Sequence, residues 1–131
     1  MIVGLGIDVV EIGRIRDLHR RRGDRFCRRV FTPGEVAACL GRADPAPALA
    51  ARFAAKEAGM KALGTGWGEG VGWHDLEVVS AAGRAPRLQL HGGAAVRAAA
   101  LGAQAFHLSL SHDGGVSAAV VVLEAAAGGT P

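Results

Sequence analysis

Two stretches of the chain alternate between apolar and polar residues, a period of two that predicts β-strands. The first covers residues 2–10, where four apolar side chains share one face and two glycines share the other with Asp8. The glycines are expected to leave space for a close approach beside that carboxylate. The second covers residues 105–111, and residues 116–123 predict a buried strand that returns after a turn at residues 112–115.

Helical periodicity follows the first strand. Residues 11–30 predict two helical pieces that are interrupted at Gly23. A further helix is expected to begin at Thr32, because Thr32 and Glu35 have the spacing of a capping box and Pro33 suits the first helical position.

The most informative helical pattern lies at residues 49–63, before Gly64. One side carries the large apolar residues, and the opposite face is almost entirely alanine, which allows close packing. A buried helix tolerates charge only where it is paired, hydrogen-bonded or bound to a ligand. This helix carries Arg52, Lys56, Glu57 and Lys61. From spacing alone, a structural Glu57–Lys61 pair and a functional role are equally open.

Two shorter strands are expected at residues 75–80 and 87–90, and an alanine-rich helix is expected at residues 92–101. The order is one strand, several helices, and then strands with one helix between them. This order predicts an α+β fold with an antiparallel sheet packed against helices. We expect a single domain over residues 1–124 and a flexible tail over residues 125–131.

Composition adds two constraints. Half of the 131 residues are apolar but only 5% are aromatic, so the core is thin and oligomerisation would supplement it. The formal net charge is +3, and eight arginines are concentrated between residues 14 and 29. This basic segment favours an anionic partner, which could be a nucleic acid, an anionic membrane or an acidic protein.

The cysteines and the N-terminus indicate the cellular context. Cys27 and Cys39 lack metal-ligand spacing, and we expect free thiols. The N-terminus shows neither a basic leader nor a long apolar run, so the sequence predicts a soluble cytoplasmic protein that does not enter a membrane.

Candidate chemistry falls in three places: Asp8 on the glycine face of a strand, Glu57 with Lys61 on the buried helix, and His112-Asp113 at the expected turn. Two separated carboxylates suit Mg²⁺, which takes one or two protein carboxylates together with phosphate oxygens. The basic residues of the same helix suit those phosphates. A zinc cluster, a catalytic cysteine and a nucleophilic serine elbow have no signature here.

The sequence also resembles the holo-(acyl carrier protein) synthases of the phosphopantetheinyl transferase superfamily over nearly its whole length. The motifs that carry the resemblance are, in order, Gly6-Ile7-Asp8 with Glu11-Ile12 and Arg14-Ile15, Phe31-Thr32-Pro33 with Glu35, Arg52-Phe53-Ala54-Ala55-Lys56-Glu57-Ala58 with Lys61-Ala62-Leu63-Gly64, and Ser109-Leu110-Ser111-His112-Asp113. The resemblance implies Mg²⁺-dependent transfer of the phosphopantetheine arm of coenzyme A to a serine of apo acyl carrier protein, with release of adenosine 3',5'-bisphosphate. Fatty acid or polyketide biosynthesis is the implied role.

The resemblance also implies roles for individual residues. Asp8 and Glu57 would bind the metal, and Lys61 would lie near the pyrophosphate. The positions associated with coenzyme A are Arg52, Lys61, Gly64, Gly83, Pro86 and His112. Between the positions of Gly83 and Pro86, the family often has a single basic residue, whereas this chain has Ala85 there as an additional residue.

Two points remain open at this stage. The base that accepts the serine proton could be Glu57, Asp113, Asp8 or a metal-bound water. Lys56 could reach the same phosphates or only the surface.

The implied partners are coenzyme A and an acidic acyl carrier protein, and the family is typically a homotrimer with interfacial active sites. The residues expected to dock the carrier are Arg14, Arg21, Arg25 and Arg28. A nucleic-acid-binding module is the first alternative, but the basic segment lacks the interleaved aromatics that stack on bases. An adaptor without activity is the second, and the intact carboxylates with Lys61 argue against it.

Overall fold

A computed structural model of the chain describes residues 1–65 and 68–127. Its elements are β1 (Ile2–Glu11), α1 (Ile12–Arg22), α2 (Asp24–Val30), α3 (Pro33–Leu40), α4 (Ala46–Leu63), a 3-10 turn (Trp73–Asp75), β2 (Leu76–Val79), β3 (Arg87–Leu90), α5 (Gly92–Ala100), β4 (Ala103–Asp113) and β5 (Val116–Ala125). Strands β1, β5 and β4 form one antiparallel sheet in that order, and β2 pairs with β3 in a separate antiparallel hairpin. The predicted α+β class with antiparallel strands is confirmed.

The glycine face of β1 allows α4 to pack directly on the strand. A Cβ atom on Gly4 would lie 2.2 Å from the carbonyl oxygen of Ala62, and one on Gly6 would lie 1.9 Å from that of Ala58. The alanine face of α4 is buried as expected, and Ala58 has no exposed surface. The space that the glycines were expected to leave beside Asp8 is therefore filled by the backbone of this helix.

The large apolar side chains of β1 lie on the opposite face of the sheet. Leu5 is 65% exposed, and Ile7 and Val9 are each 58% exposed. Their neighbours on β5 are small or β-branched apolar residues that continue the same face. Leu5, Ile7 and Val9 therefore belong to a contiguous apolar surface that one chain leaves exposed.

Helix starts and stops follow local chemistry. Thr32 caps α3 through the predicted capping box with Glu35, which is confirmed in both directions. Gly64 ends α4 in the left-handed conformation, with φ +71°. Gly23, with φ +52°, separates α1 from α2, so the basic segment is carried by two helices.

The hairpin between β4 and β5 is tighter than the sequence predicts. His112 and Asp113 belong to β4, and only Gly114 and Gly115 form the turn. Both glycines have positive φ, as a two-residue turn of this type requires. The expected four-residue turn at residues 112–115 is therefore wrong.

Met1 lies beside the last residue of β5. The sequence predicts that Ala125 belongs to the flexible tail, but it is the last residue of β5, and its N–H donates to the Met1 carbonyl at 2.7 Å. Residues 128–131 of the expected tail lie outside the described residues. Within the described ranges, no helix has both the length and the apolar character needed to cross a bilayer.

We predict that Gly6→Ala lowers the free energy of unfolding by about 3 kcal/mol, because the added methyl group overlaps the Ala58 carbonyl and forces α4 away from β1. Urea denaturation measures the change. Gly13→Ala is the matched control: a Cβ there has no neighbour within 4 Å, and we expect stability to stay constant or rise by up to about 1 kcal/mol. Equal midpoints for Gly6→Ala and the wild type would contradict the close packing.

Candidate active site

Asp8 and Lys61 meet where β1 contacts the last turn of α4. The Lys61 Nζ group donates to the Asp8 Oδ1 atom at 3.3 Å and to the Ile7 carbonyl oxygen at 2.9 Å. The Asp8 side chain is 17% exposed, whereas that of Lys61 is 55% exposed. A partly desolvated carboxylate therefore lies beside a cation that still reaches solvent.

Glu57 lies one helical turn before Lys61, so both side chains project from the same face of α4. Ala62 packs on Gly4 and Ala58 packs on Gly6, so earlier residues of the helix lie against later residues of the strand. Glu57 is half-buried and directly precedes Ala58, which packs on Gly6.

The donor set of this region suits a hard cation. Among the described residues, no group of three or more histidine, cysteine or carboxylate side chains could hold a metal. Asp8 and Glu57 are both carboxylates, and a cation with two such ligands fills its other positions with water and phosphate oxygens. Mg²⁺ binds in this way, so the residues present fit it.

Arg52 lines a second feature, a hollow of about 170 Å³ that also includes Arg42 and His112. Arg52 is 5% exposed, and its guanidinium donates to the Ala48 carbonyl at 3.2 Å and to the Ser80 hydroxyl at 2.9 Å. Its Nε–H group finds no acceptor among the described residues. A buried, incompletely paired guanidinium beside two further basic groups fits an anionic ligand.

The other residues implied by the resemblance are more dispersed. Gly64 directly follows the Lys61 turn, and the Arg97 guanidinium donates to the preceding carbonyl of Leu63 at 2.9 Å. Gly83, with φ +74°, and Pro86 lie in the exposed connection between β2 and β3.

His112 and Asp113 are consecutive in β4 and therefore point to opposite faces of the sheet. The His112 side chain lies on the face of the sheet that packs against α4, whereas the Asp113 side chain lies on the outer face. Within one chain, Asp113 is not brought to Asp8 or Glu57.

The basic segment contributes to three neighbouring surfaces. Arg14 and Arg21 flank one hollow along α1. Arg25 lies on the rim of a groove of about 400 Å³, and Arg28 borders a third, apolar hollow. The groove is lined by Leu18, Arg22, Arg25, Phe26, Arg29, Val30 and Trp73. Sequence reasoning did not select Arg22, Arg29 or Trp73.

Lys56 reaches neither the surface nor the anion hollow. Its side chain and that of Glu35 are fully buried and form an ion pair at 2.7 Å. The Lys56 ammonium also donates to the carbonyl oxygens of Trp73 and Leu76, and the second Glu35 oxygen accepts the Val78 N–H at 2.9 Å. Burial lowers the pKa of Lys56, and the neighbouring Glu35 carboxylate opposes that shift.

The same network continues to the surface through Thr32 and Glu77. The Thr32 hydroxyl donates to Glu77 at 2.7 Å, and the His91 Nε2 atom lies 2.9 Å from the other Glu77 oxygen. These two hydrogen bonds lower the pKa of Glu77. The loop before α3 and the start of α5 are thereby tied to β2.

Cys27 and Cys39 are free and buried, as predicted. Burial raises the pKa of both thiols, which makes them poor nucleophiles at neutral pH.

The sequence profile of the 4'-phosphopantetheinyl transferase superfamily matches residues 4–121. The chain belongs to this family, so the family prediction is confirmed.

Within the family, the chain is similar to holo-[acyl-carrier-protein] synthases. It is 53% identical over 124 residues to that of Nitratidesulfovibrio vulgaris (strain DP4), covering 95% of this chain and 99% of the relative. It is 49% identical to that of Koribacter versatilis over the same shares of the two chains.

The fold of this chain is also similar to solved structures of such synthases. The holo-[acyl-carrier-protein] synthase of Neisseria meningitidis superposes with a TM-score of 0.83 at 34% identity, covering 95% of this chain and 99% of that one. The Helicobacter pylori enzyme in complex with coenzyme A gives a TM-score of 0.80 at 32% identity, covering 92% of this chain and 99% of that one.

Proposed function

We propose that this protein is a holo-(acyl carrier protein) synthase, which transfers the phosphopantetheine arm of coenzyme A to a serine of apo acyl carrier protein and releases adenosine 3',5'-bisphosphate. The observation that carries the proposal is the contact of Lys61 with Asp8 between α4 and β1, one helical turn after Glu57. Relatives that match over 95% of the chain support it. The proposed setting is the cytoplasm, in fatty acid or polyketide biosynthesis.

Asp8 and Glu57 would hold Mg²⁺, which when bound neutralises the charge of the coenzyme A pyrophosphate. Lys61 contacts Asp8, and its exposed ammonium can donate to a phosphate oxygen as the leaving group departs. Two of the side chains considered as bases, Asp8 and Glu57, lie on the α4 side of the sheet. Asp113 lies on the other face, so it could act only in a site that another copy of the chain completes.

We assign the hollow around Arg52 to a phosphate group of coenzyme A. Arg42 and His112 line the hollow together with Arg52, and these side chains supply the donors that an anion requires. Gly64, Gly83 and Pro86 remain assigned to coenzyme A on the resemblance.

We assign the docking of the acidic carrier protein to α1 and α2, where Arg14, Arg21, Arg25 and Arg28 are all exposed. The groove beside α2 adds an apolar floor inside a rim of arginines, which suits an acidic amphipathic surface. Charges of this kind accelerate encounter and fix the orientation of the acceptor serine.

The exposed apolar face of the large sheet supports a homotrimer. Leu5, Ile7 and Val9 form a row of apolar side chains on an edge strand, and the sparse aromatic content leaves a thin core. Burial of these side chains between copies would contribute about 25 cal/mol per Å².

The transfer reaction itself is the primary test. Incubation with coenzyme A, Mg²⁺ and an apo acyl carrier protein should add one phosphopantetheine to the carrier, as measured by mass spectrometry. Asp8→Asn and Glu57→Gln should each reduce kcat by about 10² or more while the thermal unfolding midpoint stays close to that of the wild type. Near wild-type transfer by both variants would refute the roles of the two carboxylates.

Carrier docking can be separated from coenzyme A binding by a charge reversal. We expect Arg21→Glu to raise the carrier KM on the order of tenfold and to leave coenzyme A affinity unchanged, because the reversed charge repels an acidic partner. Arg87→Glu is the matched control for the carrier: it makes the same change of charge on exposed β3 and should leave the carrier KM unchanged. Calorimetry that shows equal losses for both ligands with Arg21→Glu would refute this division.

The homotrimer is tested by placing a charge on the outer face. Leu5→Asp should shift the mass in sedimentation equilibrium from that of three 13.4 kDa chains toward one, because burying an unpaired carboxylate is costly. Val96→Asp, at a side chain that is 72% exposed on α5, should leave the mass unchanged. A wild-type protein that sediments as a monomer at micromolar concentration would refute the assembly.

A further inference from the structure

Lys56 is a buried cation to which the proposed transfer reaction gives no role. Its ammonium has three donors, and its acceptors are the Glu35 carboxylate and the carbonyl oxygens of Trp73 and Leu76. With its side chain fully buried, it cannot touch either substrate. Lys56 can therefore affect the reaction only by positioning the groups to which it donates hydrogen bonds.

One of those groups belongs to a wall of the groove beside α2. Trp73 opens the 3-10 turn before β2, and its carbonyl oxygen lies 3.0 Å from the Lys56 Nζ atom. Its indole ring packs on Phe53, with ring centroids 5.1 Å apart, and lines the groove. The same residue is thus anchored through its backbone and presents its side chain to the groove.

A second contact ties this turn to the opposite wall. The His74 Nε2 atom lies 2.7 Å from the carbonyl oxygen of Arg28, near the end of α2. Arg25 and Arg29 of the same helix form the rim of the groove. The separation of the two walls is therefore set by an internal anchor at Trp73 and a cross-link at His74.

We infer that Lys56 is a positioning residue for the acceptor: its hydrogen bond to the Trp73 carbonyl fixes the indole wall of the groove in which the acyl carrier protein docks. The inference rests on the proposed function. It predicts a selective effect, because the anchored wall meets the carrier, whereas coenzyme A belongs to the Asp8 and Arg52 regions.

The test compares two variants that differ only at Lys56. Glu35→Gln removes the charge partner but keeps a donor for the Trp73 carbonyl, whereas Glu35→Gln/Lys56→Met loses that donor without leaving an unpaired buried carboxylate. Relative to Glu35→Gln, the double variant should show a carrier KM about tenfold higher. Its kcat and its coenzyme A KM should stay within about twofold.

Fluorescence gives a readout that does not depend on activity. The chain has two tryptophans, so Trp67→Phe leaves Trp73 as the sole indole. In that background, acrylamide should quench Trp73 more strongly in the double variant than in Glu35→Gln. Val121→Ala, a core change on β5, should lower the melting temperature without altering the quenching or the carrier KM.

The remaining outcomes overturn the inference. A carrier KM within about twofold of the Glu35→Gln value, or parallel rises in both KM values, would show that Lys56 has no selective effect on docking. A double variant that does not fold would make Lys56 a structural residue. A wild-type protein that transfers nothing would refute the proposed function as well, whereas normal wild-type transfer with an unchanged carrier KM would refute only this inference.

Discussion

The contact of α4 with the glycine face of β1 is the constraint on which the rest of the structure depends. Side chains at Gly4 and Gly6 would overlap carbonyl groups of the helix, so the two backbones can approach only because both residues are glycine. This approach brings Lys61 within hydrogen-bond reach of Asp8. It also leaves the larger side chains of β1, such as Leu5, on the outer face. One packing arrangement thus determines both the candidate site and the exposed apolar surface.

The buried pair of Lys56 and Glu35 contributes more to the positions of its hydrogen-bond partners than to the net stability of the fold. Desolvation of two charges offsets most of their attraction, so such a pair contributes little net stability compared with apolar residues of similar size. Both groups, however, have hydrogen-bond partners on several elements: α3, the 3-10 turn and β2. A hub of this kind holds backbone groups at defined positions, which apolar contacts do less well because they lack direction.

Features encoded within a few residues could be predicted from the sequence. The capping box of Thr32 and the helix end at Gly64 are local, and both are confirmed. The partner of Lys56 lies 21 residues away, and no periodicity connects them. Arg42 likewise lines the same hollow as Arg52 only because of the fold, and no sequence pattern connects the two residues. Alternation in β1 separated two faces correctly but could not show which one is buried, because that depends on how closely α4 packs.

The register of β4 places two consecutive residues of the predicted site on opposite faces of the sheet. Alternation directs His112 toward α4, where it joins Arg52, and directs Asp113 to the outer face with Leu5. No rotation of a side chain carries Asp113 through the sheet to Asp8. His112 and Asp113 therefore lie on two different surfaces of the chain. A second copy packed on the outer face would be needed for both residues to contact one ligand. The apolar surface on that face would favour such packing, and the strand register would then couple the proposed assembly to the proposed reaction.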